Sequence, residues 1–332
     1  MILITGAAGH IGNNLVREFL KGGYPVRALI LPGEDTTAID GLNIERVEGN
    51  ILDPDSLTRA MQGVDQVFHL AGVISILSGR DEFVRQVNIQ GTKNVVAAAM
   101  RSGVKRLLYT SSIHALSREC SGVIDENVPF DPQNSAGEYD RTKAEASLAV
   151  LEAVQQGLDA VIVCPTGVIG PYDYRNSEVG ELLRDWMQTK THILVEGGYD
   201  FVDVRDVAHG MLLASQKGKK GGVYILSGEQ ISLLRMKELV QHAVGIHTPT
   251  IQAPMWLARL ASKVTPLYYR MMKQTPKFTE YSLRTVCDNS KISSGRAQRE
   301  LGYSARPLSQ TIADTVEWWR TQAALQYSKN PG

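Results

Sequence analysis

Two side chains four positions apart, the phenol of Tyr139 and the amine of Lys143, form the most chemically suggestive pair in the chain. Residues at this spacing lie on one face of a helix. The pKa of a free phenol is about 10, and a neighbouring ammonium favours the phenolate, so we expect Lys143 to lower the pKa of Tyr139. Ser112, at the end of an apolar run, could hydrogen-bond the substrate oxygen that exchanges a proton with Tyr139. These three residues predict an acid–base site.

Three glycines spaced three apart, Gly6, Gly9 and Gly12, follow an apolar run at residues 2–4. Helical spacing of apolar residues begins at Ile11, so the glycines occupy a turn between a strand and a helix. Such a turn lets the backbone approach a pyrophosphate closely, and the helix N-terminus offers it N–H groups and a positive dipole end. We therefore expect a dinucleotide to bind here.

The elements that must position these residues alternate between strands and helices. Apolar runs predict strands at residues 2–4, 24–31, 43–50, 64–72, 104–112, 159–164 and 222–226. Helical patterns lie between them, the two longest at residues 82–101 and 138–156. This order is typical of an α/β fold with a Rossmann-type, doubly wound parallel sheet.

The regular alternation fades after residue 165, which suggests two interwoven domains. We predict a dinucleotide-binding domain at 1–165 plus about 200–228. A smaller, mostly helical C-terminal substrate domain would take 166–199 and 229–325, followed by a tail at 326–332.

Composition excludes several classes of function. The 332 residues carry 35 basic and 35 acidic side chains, so no electrostatic footprint for nucleic acid is visible. The three cysteines are far apart and lack metal-ligand spacing, which predicts no metal site and favours a reducing compartment. A first strand at residue 2 leaves no room for a signal peptide, so we expect a cytoplasmic protein.

Residues 255–272 form an amphipathic pattern that contains Arg259, Lys263 and Arg270. These cations make a membrane-spanning helix an unfavourable interpretation. The pattern fits either a helix at a membrane surface or a helix that covers a substrate pocket, and we expect the second.

Several motifs together resemble one family, the extended short-chain dehydrogenases/reductases, also called the NAD-dependent epimerase/dehydratase family. The matching segments are Thr5-Gly-x-x-Gly-x-x-Gly12, Thr110-Ser111-Ser112, Tyr139-x-x-x-Lys143, Pro165-Thr166-Gly167-Val168, Leu301-Gly302-Tyr303 and Trp318-Trp319. Within the family, the chain is most similar to the dihydroflavonol-reductase-like and 3β-hydroxysteroid-dehydrogenase-like branch.

The resemblance implies catalytic roles for Ser112, Tyr139 and Lys143, with Asn88 supporting a proton relay. It also implies a homodimer formed through the two long helices. The residues implied for the coenzyme site are Gly6, Gly9, His10, Ile11, Gly12, Asn50, Ile51, Leu70, Ala71, Gly72, Thr110, Tyr139, Lys143, Pro165, Thr166, Gly167 and Val168.

The choice between NAD and NADP stays open in the sequence. An acid at the end of the second strand selects NAD and an arginine there selects NADP, but Ile30 and Leu31 occupy these positions. Glu34 and Asp35 lie close by and favour NAD. Arg27 could serve NADP only if the strand has a different register.

Departures from the family pattern argue against sugar dehydration and against a clamp for a nucleotide-sugar pyrophosphate. Ile113 and His114 stand where sugar dehydratases have an Asp-Glu pair, and Tyr199 stands where epimerases commonly have a phosphate-clamping arginine. His114 either touches substrate or bonds within its loop, and we expect the second. Apolar residues at 73–76 suggest an apolar wall on the substrate side.

We therefore expect an NAD(P)-dependent oxidoreductase that transfers a hydride between the coenzyme and a carbonyl or secondary alcohol of a moderately apolar small molecule. A sugar or nucleotide-sugar epimerase is the first alternative. A non-catalytic, cofactor-binding sensor is the second.

Overall fold

The computed structural model describes residues 1–74, 81–118, 122–258, 283 and 291–329, with side chains in the last range described up to residue 323. Most of the predicted amphipathic helix at 255–272 lies outside the described residues, and so do residues 75 and 76 of the predicted apolar wall.

A seven-stranded parallel sheet forms the centre of the fold, with strand order β11-β7-β5-β4-β1-β2-β3. This order reverses beside β1, as in a doubly wound Rossmann-type sheet, and confirms the predicted fold class. The described strands are β1 (Ile2–Thr5), β2 (Val26–Ile30), β3 (Glu45–Glu48), β4 (Gln66–His69), β5 (Arg106–Thr110), β6 (Val123–Ile124), β7 (Ala160–Pro165), β8 (Gly167–Ile169), β9 (His192–Val195), β10 (Gly198–Asp203), β11 (Val223–Leu226), β12 (Glu229–Ser232), β13 (Thr250–Ala253) and β14 (Lys291–Ile292).

Helices cover both faces of the central sheet. The described α-helices are α1 (His10–Lys21), α2 (Pro54–Ala60), α3 (Glu82–Arg85), α4 (Gly91–Arg101), α5 (Glu138–Gln155), α6 (Glu178–Trp186), α7 (Val204–Lys217), α8 (Leu233–Val244), α9 (Gly295–Leu301) and α10 (Leu308–Lys329). A π-helical segment, Gln86–Gln90, joins α3 to α4. The helix predicted at 82–101 is therefore continuous along the chain but contains wider turns in its middle.

Successive residues of β1 face opposite sides of the sheet. Ile2 and Ile4 pack in a core with α1 and α7, whereas Leu3 packs in a second core with α4 and α5. A strand buried on both faces is what the apolar run at the start of the chain predicted.

Short strands outside the central sheet were not predicted. β8 and β12 flank β10 in a three-stranded sheet, while β9 pairs with β13 and β6 with β14. Each of these strands has two to six residues. Segments this short carry little periodic signal. Their pairing also depends on partners far away in the sequence.

Candidate active site

The glycine turn lies between β1 and α1, at the carboxyl edge of the central sheet. Gly6 has a φ of +72°, and a Cβ there would lie 2.7 Å from Ala71 N. A Cβ on Gly12 would lie 2.0 Å from Gly6 O. Gly9 caps α1 and donates its N–H to Gly6 O at 3.1 Å. Side chains are thus excluded from the turn, and the backbone N–H groups that open α1 can meet an anion.

His10 and Ile11 begin α1. The His10 ring nitrogen Nε2 donates to the carbonyl oxygen of Pro171 at 3.0 Å, so this side chain fastens the turn to a later loop. Burial lowers the pKa of His10, which favours the neutral ring.

Ser112 and Tyr139 meet at the carboxyl end of β5, where the Ser112 hydroxyl lies close enough to the phenol to act on its pKa. Ser112 is buried directly beyond the strand, and Tyr139 lies in the first turn of α5. The backbone N–H of His114 donates to Ser112 Oγ at 3.2 Å, which leaves the Ser112 hydroxyl proton able to donate. The structure therefore brings these two predicted residues together.

Lys143 is buried one helical turn beyond Tyr139. Its Nζ donates to the carbonyl oxygen of Thr110 at 2.5 Å and lies 4.5 Å from the centre of the Tyr109 ring. Burial lowers the pKa of Lys143 to about 7. The amine is thus held against the end of β5, on the same side of α5 as Tyr139.

The pKa of Tyr139 departs from the direction expected from the spacing. Burial raises it to about 12, and the Ser112 hydroxyl opposes this shift without reversing it. Desolvation is the largest cause, and Lys143 does not offset it, because its amine is itself buried and directed at Thr110 O. Tyr139 is consequently a protonated phenol at neutral pH.

Asn88 lies in the π-helical segment and bonds to two other parts of the site. Its Oδ1 accepts from Val73 N at 2.8 Å, while its Nδ2 donates to Val73 O at 2.9 Å and to Thr142 Oγ1 at 3.1 Å. These bonds fix the chain that follows β4 against α5. The described contacts make Asn88 a positioning residue for α5 rather than a direct partner of Lys143.

A buried hydrogen-bond chain links the glycine strand to Asn88 and was missed by sequence reasoning. Thr92 Oγ1 donates to Asn88 O at 2.6 Å, so it must accept from His69 Nε2 at 3.0 Å. His69 Nδ1 then accepts from Thr5 Oγ1 at 2.8 Å, and Thr5 Oγ1 accepts from Ala71 N at 3.2 Å. Burial lowers the pKa of His69 to about 3, which keeps the ring neutral as this chain requires.

The segment after β7 is anchored by a buried carboxylate. Thr166 Oγ1 donates to Asp200 Oδ1 at 2.6 Å, and Gly228 N donates to the same oxygen at 3.0 Å. A Cβ on Gly167 would lie 2.7 Å from the Phe201 ring. The predicted coenzyme residues Pro165, Thr166, Gly167 and Val168 are therefore held at the carboxyl edge of the sheet by β10.

The residues predicted to meet adenine lie beyond β3. Asn50 Oδ1 accepts from Leu52 N at 2.9 Å, and Ile51 is buried against Gly91. Leu70, Ala71 and Gly72 follow β4 along the same edge. The structure thus brings the predicted coenzyme residues to one edge of the sheet, where open α/β sheets bind ligands.

Arg27 is not placed to select NADP. Its guanidinium donates to Ala60 O at 2.8 Å and to Gln62 O at 2.7 Å, and it pairs with Glu45. These partners occupy the side chain, and Arg27 lies three residues before the carboxyl end of β2.

His114 and Tyr199 form a neutral aromatic pair near Ser112. Their rings stack with centroids 5.7 Å apart and an interplanar angle of 6°, and Tyr199 Oη bonds His114 Nε2 at 3.0 Å. Arg118 contacts His114 Nδ1. Burial lowers the pKa of His114 to about 3. His114 was expected to bond within its loop; Arg118 lies in that segment, whereas Tyr199 lies on β10.

The residues present fit a nicotinamide dinucleotide. Gly6 and Gly12 have no room for a Cβ, so the turn keeps its backbone open where a pyrophosphate would approach. Thr110 Oγ1 is buried and has no hydrogen-bond partner among the described residues, so a polar group remains to be satisfied beside Lys143.

Within the described ranges, no group of three or more His, Cys, Asp or Glu side chains could hold a metal ion. None of the helices in the part of the chain that the structure describes is both long and apolar enough to cross a membrane.

Comparison with known proteins agrees with this geometry. The model of the NAD-dependent epimerase/dehydratase family matches residues 2–227. Sterol demethylase protein B of Methylococcus capsulatus is 34% identical over 325 residues, which cover 97% of this chain and 99% of that protein. A putative dihydroflavonol 4-reductase of Synechocystis is 33% identical and covers 97% of this chain and 95% of its own. The crystal structure of gox2253 superimposes with a TM-score of 0.82 at 31% identity and covers 97% of this chain and 98% of its own.

Proposed function

The chain belongs to the NAD-dependent epimerase/dehydratase family and is an NAD(P)-dependent enzyme, and we propose that it interconverts a carbonyl group and a secondary alcohol on a moderately apolar small molecule. The placement of Tyr139 and Ser112 side by side at the carboxyl end of β5 carries this proposal. A phenol whose pKa burial raises to about 12 stays protonated and is an acid placed for proton transfer.

When bound, a reduced nicotinamide coenzyme would supply the hydride that the carbonyl carbon accepts in the reductive direction. Tyr139 gives its phenolic proton to the carbonyl oxygen as negative charge develops there. Ser112 donates a hydrogen bond to the same oxygen. Its hydroxyl proton is available for this, because the bond from His114 N uses a lone pair of Ser112 Oγ and not its proton. The resulting phenolate regains a proton from solvent, and the charge of Lys143 stabilises it in the interval.

Lys143 also has a binding role in this proposal. One of its three N–H groups is used by Thr110 O, and the others would be able to bind the ribose of the coenzyme. Gly9, His10, Ile11 and Gly12 would hold the pyrophosphate, and the segment 165–168 would hold the nicotinamide. Asp200 fixes that segment through Thr166 and so positions it without touching substrate.

The environment of Tyr199 favours an apolar substrate over a nucleotide sugar. A diphosphate needs cationic or N–H donors, whereas Tyr199 and His114 form an uncharged stack with each other. The names of the two relatives, a sterol demethylase protein and a putative dihydroflavonol 4-reductase, support substrates with large apolar surfaces.

The purified enzyme is expected to oxidise reduced nicotinamide in proportion to added substrate within a panel of apolar ketones and aldehydes. The decrease in absorbance of the coenzyme measures the reaction, and sugar nucleotides serve as the matched control panel. Interconversion of sugar nucleotides with no net change in absorbance would favour an epimerase instead. Tight coenzyme binding with no turnover in either panel would favour a sensor.

The proposed assembly is a homodimer through α3, α4 and α5. Three large apolar side chains on these helices are exposed in one chain: Phe83 by 59%, Met100 by 39% and Leu148 by 42%. Exposed apolar groups on neighbouring helices suit a partner surface. The widely spaced cysteines favour a cytoplasmic location for this dimer.

A charge on that surface should separate the subunits. We expect Leu148→Glu to reduce the mass measured by light scattering from two chains to one, because the carboxylate would be desolvated in the interface. Ile193→Glu is the matched control, since Ile193 is also exposed but lies on β9. A wild-type mass of one chain, or a dimer in both variants, contradicts this assembly.

A further inference from the structure

A tight turn brings Glu34 back to the end of β2. Glu34 N donates to Leu31 O at 2.9 Å, and Leu31 N donates to Glu34 Oε2 at 3.1 Å. Gly33, with a φ of +79°, permits this reversal. The carboxylate therefore lies at the carboxyl end of β2, where a Rossmann-type sheet meets the adenosine ribose.

Asp35 does not share this position. Its Oδ1 accepts from Thr37 N at 2.9 Å and from Thr37 Oγ1 at 2.6 Å. These bonds direct Asp35 away from Leu31 and towards the short helical turn Thr37–Ile39. Of the two acids that follow β2, only Glu34 is bound to the end of the strand.

The second oxygen of Glu34 is held by Arg175, which comes from the far half of the chain. Arg175 Nη2 lies 2.5 Å from Glu34 Oε1. The Glu34 side chain is 16% exposed and that of Arg175 is 46% exposed. An arginine is thus present at the end of β2, although none occurs there in the sequence.

Arg175 belongs to a loop, residues 170–177, that is fastened along α1. Pro171 O accepts from His10 at 3.0 Å, and Tyr172 O accepts from Asn13 at 3.1 Å. The guanidinium of Arg17 lies 4.4 Å from the centre of the Tyr172 ring. Tyr172 has a φ of +65°, a left-handed conformation that persists only when its surroundings fix it. The path that delivers Arg175 to Glu34 is therefore well defined.

We propose that Glu34 selects NAD over NADP, and that Arg175 is a latent acceptor for the 2′-phosphate of NADP which Glu34 keeps occupied. The proposal rests on the coenzyme-dependent function above. A carboxylate at this place accepts hydrogen bonds from the ribose hydroxyls and repels a phosphate. A guanidinium freed from its carboxylate binds phosphate through parallel charged hydrogen bonds.

Coenzyme binding tests the proposal without any turnover. In fluorescence titrations, wild type is expected to bind NADH more tightly than NADPH. Glu34→Gln should raise the affinity for NADPH relative to NADH by about 10-fold or more, because it removes the repulsion and releases Arg175. Asp35→Asn removes the same charge one residue away and should leave the ratio unchanged.

The double variant with Glu34→Gln and Arg175→Met identifies the acceptor. It should lose the gain in NADPH affinity, and the gain in the single variant should shrink at high salt because Arg175 is partly exposed. Both variants should fold, since a partly exposed ion pair contributes only about 0–1 kcal/mol. Melting curves check this.

Two results would overturn the proposal: a wild type that binds NADPH as tightly as NADH, or a gain in Glu34→Gln that survives in the double variant. These failures are distinct from failure of the proposed function. An enzyme that binds NADH selectively but turns over no carbonyl substrate would keep the selector and lose the reaction.

Discussion

Replacing Tyr139 by Phe is expected to lower kcat by about 10²- to 10⁴-fold, the usual contribution of a positioned general acid. The substitution removes the phenolic proton beside Ser112, while the ring in the first turn of α5 remains. Coenzyme affinity should change little, because the glycine turn and the segment 165–168 are untouched.

The measurement is steady-state reduction of the best carbonyl substrate, together with an NADH titration on the same preparation. Tyr24→Phe is the matched control: Tyr24 is exposed and its hydroxyl accepts only a long bond of 3.4 Å from Gln216 among the described contacts. Ordinary turnover by Tyr139→Phe with intact NADH binding would falsify the assignment of Tyr139 as the acid.

Adding one methyl group to Gly12 should disrupt coenzyme binding. The new Cβ would lie 2.0 Å from Gly6 O and 2.9 Å from Ala7 Cα, and both are backbone atoms that cannot rotate away. Overpacking of this kind costs about 1–3 kcal/mol. If the turn opens to relieve it, the affinity for NADH should fall by about 10- to 100-fold, since 1.4 kcal/mol corresponds to tenfold.

Two other glycines separate this effect from general destabilisation. Gly295→Ala is the control, because the atoms nearest to its Cβ are the ends of the Arg299 and Ser293 side chains. Gly9→Ala meets only Gly6 O, at 3.2 Å, so it should fold normally and still weaken NADH binding by placing a methyl group in the turn. Wild-type affinity in both Gly12→Ala and Gly9→Ala would contradict a pyrophosphate site there.

The parts of the site that could be predicted from sequence depend on residues that are close together along the chain. The glycine spacing depends on residues 6–12 alone, and the pairing of Tyr139 with Lys143 depends on one turn of helix. The alternation of strands and helices likewise predicts the parallel sheet without knowledge of any distant contact.

The rest depends on contacts between distant residues. The pKa of Tyr139 follows from how completely the site is buried, which spacing does not reveal. His69 connects Thr5 to Thr92, and Arg175 reaches Glu34 across 141 positions. The π-helical segment that contains Asn88 could not be recognised from the sequence, because its residues continue an ordinary helical pattern.

The order of the central sheet has a consequence for synthesis of the chain. β2 and β3 are added in turn on one side of β1, and β4, β5, β7 and β11 are then added in turn on the other side. Each strand that leaves the ribosome therefore finds an existing edge to join, and none has to insert between strands that are already paired. The sheet can grow outward from β1, which limits the time during which its early apolar strands lack a partner.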